Sequence, residues 1–264
     1  MVTRTRWWAV VSLVAAATLA GAQAPGPAAP SPATVKDDGR SPYPGFIRLY
    51  QQTRGFSLGR ASSPRFTPDG SRVLFLRAPP TRPALELHEL DVKSGDIRVL
   101  LTPDAMLKGT EEKLSVEEKA RRERLRVTVG GFTSFAPSKD GGRVLLQLSG
   151  KLYVLDRADG SVTALPVPDG VIVDPQWSPD GTALAYVRDR EVCVFDLKSR
   201  KERVLTSGAT DTLTHGEAEF VAQEEMGRMR GTWWSADSRA LIFQETDTSG
   251  VELFHIQDPL RPQN

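Results

Sequence analysis

A short unit recurs four times along the chain and constrains the fold more than any other feature. Each copy has an aromatic residue, then a tight turn with Asp at its centre, then a run of aliphatic or aromatic residues. The copies span residues 66–76, 135–147, 177–187 and 234–243. Proline presets φ at the first turn position, and Asp and Gly tolerate the positions that follow. The apolar runs that flank each turn are therefore expected to pair as a β-hairpin.

A second hairpin pattern follows the first three copies, with strands on either side of turns at residues 93–96, 158–160 and 198–201. Each unit then holds about four strands. The second and third copies begin 42 residues apart, from Phe135 to Trp177. Four strands in about 40–45 residues are typical of a β-propeller blade. The sequence predicts an all-β fold, a partial β-propeller of about four four-stranded blades with helical insertions, in a domain covering residues 45–264.

The N-terminus has the pattern of an export signal. Arg4 and Arg6 precede an apolar run over residues 7–20, which is short for a membrane span. We expect a signal peptide over residues 1–22, with cleavage after Ala22, and a Pro- and Ala-rich disordered linker over residues 23–44. An uncleaved N-terminal anchor is the alternative. Either reading places the protein in the periplasm or outside the cell, with no membrane partner beyond this segment.

Composition excludes several classes of function. The net charge of +1 does not favour a nucleic-acid partner. The single Cys193 excludes an intrachain disulfide, and its apolar neighbours predict a buried thiol. Because no H-E-x-x-H, paired Cys ligands or P-loop occurs, we predict neither a metal nor a cofactor. No G-x-S-x-G elbow is present, and His215 is expected to be a solvated loop residue, so no catalytic residue is predicted in this chain.

Insertions separate the repeats, and loops on a rigid scaffold often carry function. The first insertion, residues 103–126, contains a predicted helix over residues 113–126. Ser115 is its expected N-cap, and Glu118 stands at the capping-box position. Acidic residues come first and basic residues last, as the helix dipole favours. Two interpretations remain open: a solvated helix with exchanging ion pairs, or a helix that turns one arginine towards a substrate.

The second insertion, residues 208–231, carries the adjacent pair Glu224 and Glu225 between Phe220 and Trp233. Two neighbouring carboxylates repel each other unless a cation lies between them. The pair is therefore a candidate site for a ligand ammonium group. An ordinary exposed Glu-Glu step on a short helix explains the same residues without a ligand.

Residues 218–228 and 231–235 resemble the double-glutamate motif of the dipeptidyl peptidase IV group, in the prolyl oligopeptidase family of serine peptidases. The spacing to the paired tryptophans, and the basic helix followed by residues 131–135, are similar to the bacterial and cytosolic branch. The likeness extends over roughly residues 46–259. It implies that Glu224 and Glu225 capture the free α-amine of a peptide. It also implies that Arg122 or Arg124 contacts the substrate backbone.

The same resemblance implies a propeller of eight blades and an α/β-hydrolase domain with Ser, Asp and His beyond residue 264. A half-propeller leaves an unpaired sheet edge, so we expect a fragment that shows no peptidase activity alone. We predict the substrate-selecting propeller portion of an exopeptidase that releases X-Pro or X-Ala dipeptides. Its expected partners are a peptide with a free N-terminus, the catalytic domain and, at full length, a second copy in a homodimer. The alternative is a non-catalytic periplasmic propeller that serves as a binding module.

Overall fold

The computed structural model describes Tyr43, residues 45–124 and residues 126–252. The compact unit Ile47–Asn264 holds the fold described below. The predicted signal peptide and almost all of the predicted linker lie outside the described residues, so those boundaries stay predictions. None of the helices in the described part of the chain is long and apolar enough to cross a membrane.

Three four-stranded antiparallel sheets follow one another along the chain. The first is β1 (Ala61–Phe66), β2 (Arg72–Arg77), β3 (Ala84–Asp91) and β4 (Ile97–Leu101), with short β5 (Gly130–Gly131) parallel to β3. The second is β6 (Phe135–Pro137), β7 (Arg143–Leu148), β8 (Lys151–Asp156) and β9 (Val162–Ala164). The third is β10 (Ile172–Trp177), β11 (Ala183–Arg188), β12 (Glu191–Asp196) and β13 (Lys201–Val204). In each, the strands pair in chain order, as blades of a propeller do.

The fourth repeat is represented among the described residues by the hairpin β15 (Thr232–Trp234) and β16 (Leu241–Phe243). A further pair joins β14 (Leu213–His215) to β17 (Glu245–Asp247), so a strand within the second insertion pairs with the strand after the hairpin. The helices are α1 (Phe46–Gln52), α2 (Pro103–Leu107), α3 (Val116–Arg124) and α4 (Phe220–Glu224). This arrangement confirms the predicted all-β partial β-propeller with helical insertions.

One hydrogen-bond pattern builds the turn that opens each repeat. In the third repeat, the Ser178 hydroxyl donates to Asp180 Oδ1 at 2.6 Å, and Thr182 N–H donates to the same oxygen at 3.0 Å. These bonds lower the pKa of Asp180 to about 2 because they stabilise the carboxylate. The equivalent hydroxyl-to-carboxylate bonds join Thr67 to Asp69, Ser138 to Asp140 and Ser235 to Asp237. The same turn chemistry therefore joins the first two strands of each repeat.

Apolar clusters lie between consecutive sheets and fix their face-to-face packing. Between the first and second sheets lie Leu74, Leu76, Leu87, Leu101, Phe132, Val144, Leu146, Leu148 and Leu155. Between the second and third lie Leu145, Leu152, Leu165, Ile172, Leu184, Tyr186, Cys193 and Phe195. Cys193 is fully buried, as predicted, and burial raises the pKa of its thiol to about 11.

Polar contacts also join neighbouring sheets. The buried Glu89 carboxylate accepts hydrogen bonds from Arg98 of its own sheet and from Arg157 of the second. Burial would raise the pKa of Glu89, but these arginines outweigh it and the pKa is lowered. Asp180 N–H donates to the Ser238 hydroxyl at 3.0 Å, which links the third turn to the fourth. The sheets therefore form a continuous scaffold beneath the insertions.

Candidate functional site

The predicted glutamate pair lies at the C-terminal end of α4. This helix has only five residues, so its caps contribute much of its definition. The N-cap is Glu219, whose carboxylate accepts the Ala222 N–H at 3.0 Å. Glu224 is the last helical residue and Glu225 the C-cap, with Glu225 N–H donating to Val221 O at 2.9 Å. The pair therefore follows directly from where the helix stops.

Both glutamates face outward. Glu224 and Glu225 are exposed, as are Phe220 and Met226, whose exposed fractions are 63% and 69%. Within the described ranges, no side-chain hydrogen bond or ion pair occupies the Glu225 carboxylate. The predicted apolar surroundings are present, but they form an exposed surface. The Glu225 carboxylate is therefore open to an incoming cation, and the Glu224 carboxylate beside it is also exposed.

Helix α3 brings an arginine to this pair. Arg124 Nε lies 3.8 Å from Glu224 Oε1, and Arg124 Nη1 donates to Gln223 Oε1 at 3.3 Å. The same guanidinium lies over the Phe220 ring, 5.8 Å from its centroid. These contacts join the first insertion to the second.

The Arg122 side chain contacts carboxylates of its own insertion instead of the glutamate pair. Its Nη2 binds Glu112 Oε1 at 2.5 Å, its Nε binds Glu118 Oε1 at 2.7 Å, and 9% of its side chain is exposed. Burial alone would lower the pKa of Arg122, but both carboxylates favour the charged form and the pKa is raised. Glu118 N–H donates to the predicted N-cap Ser115 at 3.1 Å. Arg122 therefore anchors α3, and the structure brings Arg124 alone of the two predicted arginines beside the glutamates.

Two glycines hold together the ends of residues 216–231, the part of the second insertion that carries the glutamate pair. A Cβ on Gly216 would lie 2.7–2.9 Å from Val192, Thr232 and Val187 side chains, and φ at Gly216 is +78°. A Cβ on Gly231 would overlap the Gly216 carbonyl. An isolated bridge pairs Glu217 with Arg230. Only glycine permits this close backbone approach, so the insertion leaves and re-enters the scaffold at adjacent points.

His215 lies at the base of this insertion, and the prediction of a solvated loop residue is wrong. It is 5% exposed. Its Nδ1 lies 2.9 Å from Glu191 Oε2, and its Nε2 lies 3.3 Å from Glu245 Oε2. The ring ties β14 to β12 and β17, which makes it a structural support for the insertion.

A cavity of about 810 Å³ lies beside the glutamate pair. Its lining comes from both inserted helices and from the second, third and β14–β17 sheets. The polar and charged members include Arg121, Arg124, Gln147, Asp174, Asp189, Arg190, Glu217, Glu219, Gln223 and Arg230. Arg124, Phe220 and Gln223 line the cavity, and Arg124, which contacts both other side chains, also lies beside Glu224. The pair is therefore placed at the margin of a space large enough for a small ligand.

Asp174 is a cavity residue that the sequence reasoning missed. Its side chain is 18% exposed, and burial raises the pKa of its carboxyl to about 6, against the opposing effects of Arg230 and the Gly231 N–H. The signal was available in the repeats, because Asp174-Pro175 occupies the position that Ser63-Pro64 holds in the first unit. A carboxylate replaces a serine at that position of the repeat.

The fold and site define a partial β-propeller that presents a carboxylate pair on an inserted helix. Residues 138–264 match the family described as the dipeptidyl peptidase IV (DPP IV) N-terminal region. The crystal structure of Porphyromonas gingivalis dipeptidyl peptidase 4 has the same fold. Its TM-score is 0.54 and its identity 22%, and the likeness covers 77% of this chain and 28% of that one.

Curated relatives are peptidases by name. Human dipeptidyl peptidase 8 is 27% identical over 172 residues, which cover 55% of this chain and 19% of the relative. Dipeptidyl-aminopeptidase B of Aspergillus niger is 30% identical over 162 residues, which cover 54% of this chain and 18% of the relative. The chain thus spans about a fifth of the length of these relatives.

Proposed function

We propose that this chain is the substrate-selecting portion of a dipeptidyl peptidase IV-like serine exopeptidase, which removes X-Pro or X-Ala dipeptides from peptide N-termini. One observation carries the proposal: Glu224 and Glu225 stand open at the end of α4, with Arg124 beside them. The names of the relatives supply the reaction class. The bond-breaking Ser, Asp and His are expected from a catalytic domain beyond the described residues.

The proposed role of the pair is to bind the peptide α-ammonium group. An ammonium has three donors and no acceptor, so two carboxylates match it in charge and in hydrogen-bond capacity. Each charge-assisted hydrogen bond contributes about 1.5–3 kcal/mol. A peptide with an acylated amine would lack the charge and leave the carboxylates repelling each other. The pair therefore measures the substrate from its amino end.

Arg124 is the better candidate of the two predicted arginines for contact with the peptide backbone. At 3.8 Å its Nε is too far from Glu224 Oε1 for a strong hydrogen bond, so guanidinium donors stay available to a carbonyl oxygen. Arg122 has its donors committed to Glu112 and Glu118. We assign Arg122 to the support of α3.

The test uses the protein expressed from the full reading frame that carries this chain, with a chromogenic Xaa-Pro substrate. Glu224→Gln and Glu225→Gln should each lower kcat/KM by about 100-fold, because a bound cation loses a charged partner. Glu111→Gln, at an exposed position in the first insertion, is the matched control and should leave kcat/KM unchanged. Unchanged kcat/KM in both pair variants would refute the amine-binding role.

A non-catalytic periplasmic binding module is the alternative, because a propeller scaffold with an amine site needs no nucleophile to bind a peptide. The coding sequence downstream discriminates the two. A Gly-x-Ser-x-Gly elbow followed by Asp and His favours the peptidase. Calorimetric binding of the dipeptide Ala-Pro, without turnover of any Xaa-Pro substrate, favours the module.

Export and assembly are separate proposals. Cleavage after Ala22 predicts that the mature protein in the periplasm or medium begins at Gln23, which N-terminal sequencing of that fraction checks. An intact N-terminus in the membrane fraction would favour an anchor. The proposed homodimer of the full-length protein predicts twice the monomer mass in light scattering.

A further inference from the structure

The cavity residue Asp174 occupies a β-bulge that the first sheet also contains. The pairing of β10 with β11 shifts register between Val173 and Gln176, and β1 shifts relative to β2 between Ser62 and Arg65. The residue in the left-handed region is Asp174 in one bulge, at φ +48°, and Ser63 in the other, at φ +53°. Because serine occupies the same bulge, a carboxylate is not needed to form it.

The Asp174 carboxylate faces the segment that returns from the glutamate helix. Its Oδ2 lies 3.7 Å from Arg230 Nε and accepts a hydrogen bond from Gln176 Nε2 at 3.4 Å. Gln176, two residues along β10, also donates to Thr232 Oγ1 at 2.5 Å. Arg230 and Thr232 are thus held by side chains of the bulged strand.

The returning segment is in turn bound to α4. Arg228 N–H donates to Ala222 O at 2.9 Å, and Arg228 Nη1 donates to Arg230 O at 2.6 Å. Arg228 Nη2 also lies 3.9 Å from Glu219 Oε1, the side chain that caps α4. A continuous set of contacts therefore leads from Asp174 through residues 228–231 to the helix that ends in the glutamate pair.

We propose that Asp174 is a positioning residue, which fixes the returning segment through Arg230 and so sets the orientation of Glu224 and Glu225. The inference rests on the proposed amine-binding function. It explains why a charged group is kept at a buried position where the repeat uses serine. Burying most of a carboxylate with its one cation 3.7 Å away lowers the free energy of unfolding. Unfavourable groups of this kind are found mostly at functional sites.

A positioning role and a merely structural role predict opposite combinations of results. Removing a support of the fold should lower the melting temperature and peptide affinity together. Removing this buried charge should leave the melting temperature equal or higher, while affinity falls because the glutamates lose their fixed orientation. The two quantities must therefore be measured on the same variants.

The experiment uses the protein expressed from the full reading frame and the dipeptide Ala-Pro as the calorimetric probe. Asp174→Asn keeps the size of the side chain, and Asp174→Ser introduces the residue that the first sheet carries in its bulge. Each should weaken Ala-Pro binding about fivefold or more, with no fall in melting temperature. Asp96→Asn is the control, since Asp96 is exposed in a turn of the first sheet and lies outside the cavity lining. It should bind as wild type does.

Two outcomes overturn the inference: a dissociation constant within about twofold of wild type in both Asp174 variants, or affinity and melting temperature falling together. If one variant does not fold, the other decides. Glu224→Gln and Glu225→Gln are titrated in parallel. If these also bind as wild type does, the amine-binding function fails; if they lose binding while the Asp174 variants keep it, only the positioning role fails.

Discussion

Arg124 Nε lies 3.8 Å from Glu224 Oε1, and this contact joins two segments that are inserted at separate places between the sheets. The helix that supplies Arg124 is anchored independently, through Arg122 and its two carboxylates. Two arginines two residues apart therefore have different roles, one at the open pair and one in the support. The structure predicts that they respond differently to the same substitution.

Arg124→Met should weaken binding of a free-amine dipeptide about tenfold and change the free energy of unfolding by less than about 0.5 kcal/mol. The reason is that partly exposed ion pairs contribute little to stability, while a guanidinium at the ligand contributes directly. Calorimetric titration with Ala-Pro and denaturant unfolding measure the two quantities. Lys119→Met, at an exposed position on α3, controls for loss of a charge from this helix.

Arg122→Met should instead lower the free energy of unfolding by about 3 kcal/mol, because Glu112 would be left without a cation, while Glu118 would keep its bonds from Arg121. Urea unfolding followed by tryptophan fluorescence measures the change. The same Lys119→Met control should remain within about 0.5 kcal/mol of wild type. A stable Arg122→Met variant would show that Glu112 finds another partner.

Asp174→Asn should stabilise the protein at pH 8 and lose that advantage in acid. The folded-state pKa of Asp174, about 6, lies above the ordinary aspartate value of 3.8, because burial disfavours the charged form, so the folded protein holds this proton more tightly than the unfolded chain does. The stability that protonation contributes is fully present below pH 3.8 and is lost as pH rises through about 6.

At pH 8, this difference in pKa corresponds to at most about 3 kcal/mol of free energy of unfolding. Asparagine also tolerates the left-handed backbone conformation of this position. Melting temperatures of wild type and variant at pH 8 and pH 4 test this prediction. Equal differences between the two proteins at both pH values would contradict it.

The Cys193 thiol should be inert in the native protein. It is fully buried, and its pKa of about 11 leaves almost no thiolate at pH 8. A chromogenic disulfide reagent should therefore react with Cys193 at a rate set by unfolding, and rapidly in 6 M guanidinium. Fast stoichiometric reaction without denaturant would mean that the cluster between the second and third sheets opens readily.

Local patterns were sufficient to predict the sheets. The turn at Ser178–Asp180 is built from neighbouring residues, and the same chemistry recurs at each repeat, so hairpins follow from sequence alone. The position of Glu224 and Glu225 on a short helix was also predictable. In contrast, β14 pairs with β17 across some 30 residues, and no local pattern specifies that pairing.

Side-chain partners at longer range account for the remaining differences. His215 is buried because Glu191 and Glu245 approach it from two other strands. The choice between Arg122 and Arg124 depends on Glu112, which precedes α3 and reaches the helix only in the folded chain. The repeats single out Asp174, but its ion-pair partner Arg230 lies more than 50 positions away, and only the folded chain brings the two together.

The close approach of Gly216 and Gly231 has a consequence for how this site can vary. Because the backbones of residues 216 and 231 lie directly against each other, residues 217–230 form a closed loop on a fixed base. The entropic cost of such a loop rises only slowly with its length. The segment between the two glycines can therefore change in length or sequence without disturbing the sheets. Replacement of either glycine, in contrast, would disrupt the base of the loop.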